Sequence, residues 1–330
     1  MDFNLAPFEL STLTGAVNRV PFQPGVITAR GSFAPRPLTT TTALFDYRDG
    51  QIRVVDPVAE SAPGVRLNRD AEDRQVALAV PNYKIEDTLM FASIQGRRAF
   101  GEQGPEVVEA KRDERLGIAR QAIEATRELC RVAAMTRGLV LRQNGSVITS
   151  FYQAFGVSAP SVVTFDPGAT SAQIRKAAAG YVRTLAKILG VAAPRIVALC
   201  GDEFFDRLVG SKEVRETYLN QQEAGQLREG QAFTSVFYGG ILWINYMGWL
   251  PNGDPIIPTD KAFVVPEGLP GHLVEVQAPA PWGETINTLA IPVYAKAVPR
   301  PFNDGVEMQI ISRFLPVNTR PEAIVPLSLT

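Results

Sequence analysis

The longest regular pattern of apolar positions in the chain runs from residue 105 to residue 137. Apolar side chains recur there at spacings of mostly three and four, which predicts one helix with a single apolar stripe. The stripe consists of Val108, Leu116, Ala119, Ala122, Ile123, Leu129, Cys130 and Ala133. At 1.5 Å per residue this helix is about 50 Å long. It is therefore much longer than an ordinary globular helix.

Charged residues are predicted on the other faces of this helix. They are Arg112, Arg120, Glu124, Arg127, Glu128 and Arg131. The spacing makes Glu124–Arg127 and Glu128–Arg131 favourable i,i+3 pairs. Gly104-Pro105 suits the start of the helix, and Gly138 suits its end as a left-handed C′ residue.

The first forty residues lack any such periodicity. Single apolar residues are separated there by Pro, Gly and Ser, and prolines stand at Pro7, Pro21, Pro24, Pro35 and Pro37. Proline is not tolerated in a helix interior, so a continuous helix is excluded. We expect an extended arm that lies on another surface.

Residues 48 to 84 indicate a long two-stranded excursion. Asp49-Gly50 favours a tight turn into a strand at residues 51–55, and a second strand is predicted at residues 75–80. The segment between them is rich in charge and has too few apolar side chains to bury a core. Because an isolated two-stranded hairpin is marginal in water, it needs a partner surface. This need points to assembly rather than to catalysis.

The rest of the chain mixes helical and strand patterns, which predicts an α+β class. Asn144-Gly145 predicts a hairpin turn, and Ser171 is a candidate cap for an amphipathic helix that ends at Gly190. A buried strand is predicted at residues 195–200. Two short helices are expected at 202–208 and 212–223, and further strands at 233–238, 241–249, 261–265, 272–276, 291–297, 308–313 and 323–329. No internal repeat is present.

The amino-acid composition excludes some classes of protein but does not identify a function. Hydrophobic residues make up 45% of the 330-residue chain and charged residues 20%, which is a globular mixture. The formal net charge is −1, so the basic excess of a typical phosphate-gripping protein is missing. The N-terminus has no signal-peptide pattern and no apolar run is long enough to span a membrane. We expect a soluble, intracellular product with reduced thiols.

Few residues are candidates for chemistry. Asp202, Glu203 and Asp206 place carboxylates at a helix start, where a general-acid pair competes with simple complementation of the helix dipole. His272 is the single histidine, and Cys130 and Cys200 are the two cysteines, so neither a four-ligand zinc site nor a His-based triad is expected.

Nucleotide-binding patterns are absent, and the remaining motifs favour structure. Asn144-Gly145-Ser146 matches a glycosylation sequon, but the turn interpretation is preferred. An aromatic group that could stack nucleic-acid bases lacks interleaved cations, which favours a sheet core. It consists of Phe233, Phe237, Tyr238, Trp243, Tyr246 and Trp249. We expect no catalytic residue, no cofactor and no metal site.

Many short segments, in one order from about residue 30 to the end, resemble one protein family. They are Arg36–Thr42, Tyr47–Arg53, Ser61–Gly64, Ile94–Gly101, Gly201–Leu208, Val214–Tyr218, Val265–Gly268, Ala278–Ala280, Asn287-Thr288, Pro292–Lys296 and Arg320–Val325. The family is that of the major capsid proteins of tailed double-stranded DNA bacteriophages, and the chain is most similar to the lambda-type (gene E) branch with the Hong Kong 97 capsid fold.

The resemblance implies a division of the chain. Residues 1–30 would be an N-terminal arm, and residues 31–140 with 300–330 a peripheral domain. That domain would include an extended loop at about 45–90 and a spine helix at about 105–137. Residues 141–299 would form a mixed α/β axial domain.

The resemblance also implies a structural function and no enzyme activity. The chain would form pentamers and hexamers of an icosahedral shell around phage double-stranded DNA, assembled in the cytoplasm of the bacterial host. A separate scaffolding protein, a portal and a decoration protein are the expected partners, DNA is bound without sequence preference, and no membrane is involved. A gene-transfer particle or a bacterial nanocompartment shell is an alternative, and a soluble α+β hydrolase using Asp202 and Glu203 is another.

Some relatives of this fold join their subunits by a Lys–Asn isopeptide bond whose lysine sits on the extended loop. Here the stretch from Tyr47 to Tyr83 contains no lysine, and its cations are arginines, among them Arg53, Arg66, Arg69 and Arg74. Because guanidinium is a very poor nucleophile, we expect non-covalent contacts to hold the shell.

Overall fold

The computed structural model describes residues 10–19, 25–47, 74–94, 108–142, 144–169, 173–192, 195–219, 234–250 and 253–329. The chain divides into two compact units. Unit 1 comprises Met1–Ala43, Ala79–Arg131 and Val274–Val317. Unit 2 comprises Leu44–Leu78, Val132–Leu273 and Asn318–Thr330.

The described residues form both helices and strands, as an α+β chain requires. The helices are α1 (Leu10–Arg19), α2 (Val26–Arg30), α3 (Val108–Arg137), α4 (Phe151–Phe155), α5 (Ile174–Leu189), α6 (Asp202–Gly210) and α7 (Lys212–Leu219). The strands are β1 (Ala34–Pro37), β2 (Thr42–Tyr47), β3 (Arg74–Ala79), β4 (Asn82–Met90), β5 (Leu139–Leu141), β6 (Val147–Ser150), β7 (Val163–Thr164), β8 (Arg195–Cys200), β9 (Ser235–Tyr238), β10 (Ile241–Asn245), β11 (Lys261–Glu267), β12 (Leu273–Gln277), β13 (Tyr294–Pro299), β14 (Gly305–Asn318) and β15 (Val325–Ser328).

Unit 1 is built on a five-stranded sheet. Its strand order is β1-β12-β14-β13, and β4 also pairs with β14. The β4 ladder is antiparallel from Met90↔Gly305 to Asn82↔Arg313. A Cβ on Gly305 would stand 2.6 Å from the carbonyl oxygen of Leu89, so this crossing requires glycine. The strand β4 was not predicted from the sequence.

The prediction of an extended arm is wrong for residues 10–19, which form α1. Pro7 and Pro21 bracket this segment without entering it, and Leu13 and Val17 lie one helical turn apart and are completely buried. A second, five-residue helix, α2, follows and ends at Gly31 in the left-handed conformation. The N-terminal segment therefore folds as short helices between its prolines.

Unit 2 is built on a six-stranded sheet with the order β7-β15-β11-β8-β10-β9. Its central strand β8 is buried at every position from Ile196 to Cys200, which explains its continuous apolar sequence. One face of α5 packs into the same core, together with α6. The largest fully buried side chain of the described residues is Trp243 on β10, whose ring stacks on Phe204 at 6.2 Å.

Several predicted elements of unit 2 are confirmed. β5 pairs with β6 around a turn in which Gly145 has φ 79°, as Asn-Gly predicts. Helix α5 ends at Gly190, which is left-handed as a C′ residue should be. Its proposed cap, Ser171, lies outside the described residues. Of the described helices, none combines the length and the apolar character that crossing a lipid bilayer requires.

The unit boundaries depart from the predicted domain boundaries in four places. Leu44–Leu78 and residues 132–140, which were predicted in the peripheral domain, belong with unit 2. Residues 274–299 belong with unit 1, because β13 is hydrogen-bonded to β14 over six residue pairs. Residues 318–330 belong with unit 2, because β15 pairs with β11 and with β7. Strands β2 and β3 pair with each other and form the base of the predicted loop, whose residues 48–73 lie outside the described part of the chain.

Candidate assembly surfaces and the charged interior of unit 1

Charged side chains of the long helix α3 are buried, whereas the sequence placed them on its outer faces. Arg120, Glu124 and Arg127 follow one another along the helix, and each is less than a tenth exposed. Arg127 Nη1 donates to Glu124 Oε1 at 2.7 Å, which confirms the predicted i,i+3 pair. Arg120 Nε lies 3.3 Å from the same oxygen. Burial lowers the pKa of the Arg120 guanidinium, and the charge of Glu124 opposes this shift.

A carboxylate from the sheet completes this cluster. Glu275 on β12 is 1% exposed, and its Oε2 accepts a 2.6 Å hydrogen bond from Arg131 Nε. Its Oε1 lies 3.5 Å from Arg127 Nε and accepts a hydrogen bond from the amide of Gln277. Buried charges are tolerated only when they are paired in this way. The interior of unit 1 is thus held by ion pairs as well as by apolar contacts.

The side chain of Glu128, on α3, is hydrogen-bonded to helix α2. Its carboxylate accepts hydrogen bonds from the backbone N–H of Ile27 at 2.8 Å and of Thr28 at 3.0 Å, and from the Thr28 hydroxyl at 2.6 Å. It therefore satisfies the free N–H groups at the start of α2. A Cβ on Gly25 would overlap the Glu128 side chain, so this position requires glycine.

Helix α1 is tied to the edge of the unit 1 sheet. The hydroxyl of Thr14 donates to Ala295 O and accepts from Ala295 N, and the Asn18 amide donates to Val293 O. The bonds of Thr14 occupy both backbone groups of Ala295 on the outer strand β13, and Asn18 binds the residue just before that strand, so this part of the sheet edge is less open to pairing with another strand. Arg120 of α3 donates to Val17 O at 2.8 Å and holds the end of α1. Helices α1 and α2 are therefore part of the fold of unit 1.

Three arginines and three glutamates make up this group, which we call the α3 network. Its members are Arg120, Arg127, Arg131, Glu124, Glu128 and Glu275. Their formal charges cancel. Sequence reasoning missed it because Arg and Glu on a helix are usually solvent-exposed; the signal that could have found it is their repetition at three- and four-residue spacing.

The candidate catalytic acids do not form a site. Glu203 and Asp206 are exposed, and Asp202 is half-buried at the start of α6. Glu203 accepts a hydrogen bond from Arg207 at 2.8 Å, and Arg207 also binds Asp166 at 2.9 Å. These carboxylates thus complement the helix dipole and a surface cation. The geometry favours the structural interpretation over an acid–base pair.

His272 is buried in unit 2, with 3% of its surface exposed. Neither ring nitrogen makes a well-aligned hydrogen bond, although the Asn318 side chain and the backbone of Arg320 and Pro266 are its polar neighbours. Burial lowers the pKa of the imidazole to about 4. The ring is therefore neutral at pH 7 and has no path to a substrate.

Both cysteines are free thiols in the interior. Cys130 lies 3.5 Å from the hydroxyl of Tyr83, and burial raises its pKa to about 11. Burial also raises the pKa of Cys200 far above its ordinary value. High pKa values leave little thiolate, so neither thiol is a nucleophile at neutral pH. Among the described residues, no group of three His, Cys, Asp or Glu side chains could hold a metal ion.

The aromatic group divides between interior and surface. Tyr238, Trp243 and Tyr246 are buried in the sheet core, as predicted. Phe237 and Trp249 are 65% and 58% exposed, so the prediction of a core role is wrong for them. For Phe237 the reason is that β9 is an edge strand whose side chains alternate between faces, whereas Trp249 lies beyond the end of β10. Phe233 lies outside the described residues.

Large apolar side chains are also exposed on unit 1. Phe302, in the turn between β13 and β14, is 91% exposed, and Val298 on β13 is more than half exposed. Ile286 and Leu289 are exposed in the loop that follows β12. Exposed apolar side chains that form a contiguous patch are typical of surfaces that contact other proteins, whereas single ones are common on any protein.

The chain matches the family model for phage major capsid protein E over residues 9–328. The major capsid protein of Salmonella phage Felix O1 is 26% identical over an alignment of 354 residues, which covers 96% of this chain and 95% of that protein. The major capsid protein of Pseudomonas phage KPP10 is 24% identical, with 96% of each chain covered.

Solved structures of similar fold extend over nearly the same length. A prophage protein from E. coli CFT073 has a TM-score of 0.58 at 18% identity, covering 98% of this chain and 99% of that one. The mature capsid protein of bacteriophage PhiM1 has a TM-score of 0.52 at 13% identity, covering 91% of this chain and 86% of that one. At these identities the likeness concerns the fold.

Proposed function

The chain belongs to the phage major capsid protein E family, and from this membership we propose that it builds an icosahedral phage head from pentamers and hexamers around double-stranded DNA. The observation that carries the proposal is the family match over residues 9–328, which leaves almost none of the chain for another activity. The surface position of Glu203 and the inert thiols support a structural role without enzyme activity.

We assign the parts of the subunit as follows. Unit 1, with α1, α2 and most of α3, corresponds to the arm and the peripheral domain, and unit 2 corresponds to the axial domain. In the rings of such a shell, each subunit contacts its neighbour through two different surfaces, and the repeated contact must close into a ring. A loop or arm that reaches over the neighbouring subunit can provide this contact. The segment 48–73 between β2 and β3 is the proposed donor, and the exposed apolar side chains of unit 1 are candidate acceptors.

Replacement of residues 49–73 by a short Gly-Ser linker tests this proposal. The described strands β2 and β3 are kept, so the subunit should remain folded. We expect the wild-type chain to elute in size-exclusion chromatography as pentamers, hexamers or particles, and the variant to stop at small species. A matched control replaces the exposed Asn144-Gly145 turn by Gly-Gly, which should leave assembly intact. Normal particles from the loop variant would remove the proposed role of the loop.

The mature shell is proposed to be held without covalent links. Lys84, on β4 beside the loop, pairs with Glu86 at 2.7 Å, and the stretch from Tyr47 to Tyr83 supplies no other lysine. An isopeptide bond needs a neutral amine as nucleophile, and arginine does not provide one. Mature particles boiled in SDS should therefore release this chain as a single band at its monomer mass. A ladder of multimers would refute this part of the account.

The proposed partners are a separate scaffolding protein, a portal, a decoration protein and packaged DNA, with assembly in the bacterial cytoplasm. The contents of purified particles separate the alternatives. Nuclease-protected phage DNA is expected of a phage head, whereas fragments of host DNA would indicate a gene-transfer particle. Enclosed protein without DNA would indicate a nanocompartment.

A further inference from the structure

Helix α5 separates its charges from its apolar residues completely. Ile174, Ala178, Leu185 and Leu189 are buried in the core of unit 2. The helix carries the cations Arg175, Lys176, Arg183 and Lys187 and no acidic residue. Its neighbours α6 and α7 each contain both signs of charge. Charge of one sign is thus concentrated on α5, in a chain whose net charge is −1.

Three of these cations form one row. At 3.6 residues per turn, Lys176, Arg183 and Lys187 fall within about 40° of one another around the helix axis, on the side opposite the buried residues. With a rise of 1.5 Å per residue, the row is about 16 Å long. All three side chains are exposed. We call this surface the α5 row.

The α5 row makes no ion pair with the part of the chain that the structure describes. Within the described residues, no carboxylate lies within 4 Å of the charged nitrogens of its three members. Arg183 and Lys187 stand four residues apart, where like charges destabilise a helix. By contrast, the exposed side chain of Arg207 is paired with Glu203, and that of Lys84 with Glu86. An unbalanced row of this kind fits an anion that comes from outside the chain.

Gly180 lies on the same face, between Lys176 and Lys187. Glycine weakens a helix interior relative to alanine. A Cβ at this position would meet no other atom within 4 Å, so packing does not require glycine here. With Ala179 beside it, Gly180 leaves the helix backbone open to close approach by a broad, flat partner.

We propose that the α5 row binds the phosphate backbone of double-stranded DNA, an inference that rests on the proposed function and assigns one DNA-contacting surface within it. Phosphate contacts need cations at suitable spacing and carry no sequence information. Because the net charge of the chain is −1, we expect such a contact to be local to the row rather than spread over the whole chain.

An acidic protein is the competing partner for such a row. Specific protein interfaces contain a buried apolar or aromatic centre. The residues between the cations are Ala179, Gly180 and Thr184, and none of them supplies a large apolar anchor. The composition of this face therefore favours a polyphosphate surface over a protein helix.

The test compares the full-length chain with the triple variant Lys176→Gln, Arg183→Gln, Lys187→Gln. Binding to a fluorescent 20-base-pair duplex is measured by anisotropy between 50 and 200 mM NaCl. Each lost phosphate contact lowers the slope of log affinity against log salt by about 0.9. The triple variant should therefore reduce the slope by roughly 2 to 3.

A second triple variant, Lys84→Gln, Lys111→Gln, Arg207→Gln, controls for net charge. It removes the same three charges, but each of these cations is already paired with a carboxylate, at 2.7, 2.6 and 2.8 Å. We expect its slope to stay within about 1 of the wild type. Equal loss in both variants, or a wild-type slope in the α5 variant, overturns the proposal.

Two further readings separate the remaining outcomes. Polyglutamate and unlabelled DNA of equal total charge are compared as competitors of the labelled duplex. Equal competition by the two would assign the row to an acidic protein and overturn the inference. Particles of both variants, seen by electron microscopy, should be normal. If the wild-type chain forms no particles, the proposed shell function is wrong. The salt dependence of DNA binding still tests the α5 row independently of that result.

Discussion

Unit 1 and unit 2 solve the same problem of stabilising a buried interior with different chemistry. In unit 2 the core is an apolar cluster centred on β8, α5 and α6, with Trp243 and Phe204 among its largest members. In unit 1 the long helix α3 buries the α3 network, and through it fixes α1, α2 and the strand β12. The interior of unit 2 is stabilised by the burial of apolar surface, and the interior of unit 1 is stabilised in part by hydrogen-bonded ion pairs.

Because their interiors are stabilised differently, the two units should differ in how well they tolerate substitutions. Apolar burial is non-directional and is lost gradually as side chains shrink. A buried ion pair can be neutral in net free energy, yet the removal of one partner leaves an uncompensated charge. Unit 1 should therefore tolerate substitutions in the α3 network poorly. The N-terminal helices, which depend on that network, should be lost with it.

The largest expected effect comes from Glu275. The substitution Glu275→Gln removes the carboxylate that accepts a hydrogen bond from Arg131 and lies beside Arg127. Both guanidinium groups therefore lose a buried negative charge. We expect the free energy of unfolding to fall by about 3 to 5 kcal/mol. Urea unfolding followed by circular dichroism measures it.

Glu307→Gln on β14 serves as the matched control, because Glu307 lies in the same sheet and is exposed. An exposed ion pair contributes only about 0 to 1 kcal/mol. Similar losses in the two variants would show that burial of the α3 network has no special energetic role.

Acid should destabilise unit 2 through His272. Its pKa of about 4 in the folded state lies below the ordinary value near 6.5, so the unfolded chain binds more protons between these pH values. The stability is fully present above pH 6.5 and is lost as the pH falls toward 4. The loss amounts to about 3 kcal/mol.

The variant His272→Gln isolates this effect. Urea midpoints at pH 7 and pH 4 should shift less in the variant than in the wild type, since only the wild type has an imidazole that the unfolded chain protonates at a higher pH than the folded chain does. Equal shifts in the two proteins would mean that carboxylates alone account for the acid sensitivity.

The smallest effect compares one cysteine from each unit. Cys130→Ala in unit 1 and Cys200→Ala in unit 2 both remove a buried sulfur, and each should cost on the order of 1 kcal/mol of subunit stability. Thermal unfolding of both variants measures this cost. Particle yield should be the same with and without reductant, and shells that come apart only under reducing conditions would indicate disulfides instead.

The apolar interior of unit 2 was largely predictable from its sequence. The continuous apolar run at residues 195–200 gave β8, and the spacing of Ile174, Ala178 and Leu185 gave α5 with Gly190 at its end. Asn144-Gly145 defined its hairpin. In each case a local pattern and the tertiary environment agree, so the local signal was sufficient.

Unit 1 was predicted less completely. Exposed and less exposed side chains alternate along β4, but Asp87 stands on the less exposed face, where it pairs with Arg115 of α3 and interrupts the apolar pattern. The buried charges of α3 depend on distant partners: Glu128 binds Thr28, about 100 residues away in the sequence, and Arg131 binds Glu275, about 150 residues away. No local pattern contains such contacts. The segregated cations of α5 were likewise hidden by a net charge close to zero.

Electron microscopy of particles purified from cells that express this chain with its scaffolding protein tests the central claim most directly. The account predicts closed shells of uniform size, with rings of five and six subunits related by icosahedral symmetry. Two-dimensional class averages that contain only monomers or small open oligomers, at concentrations where the chain remains folded, would contradict it.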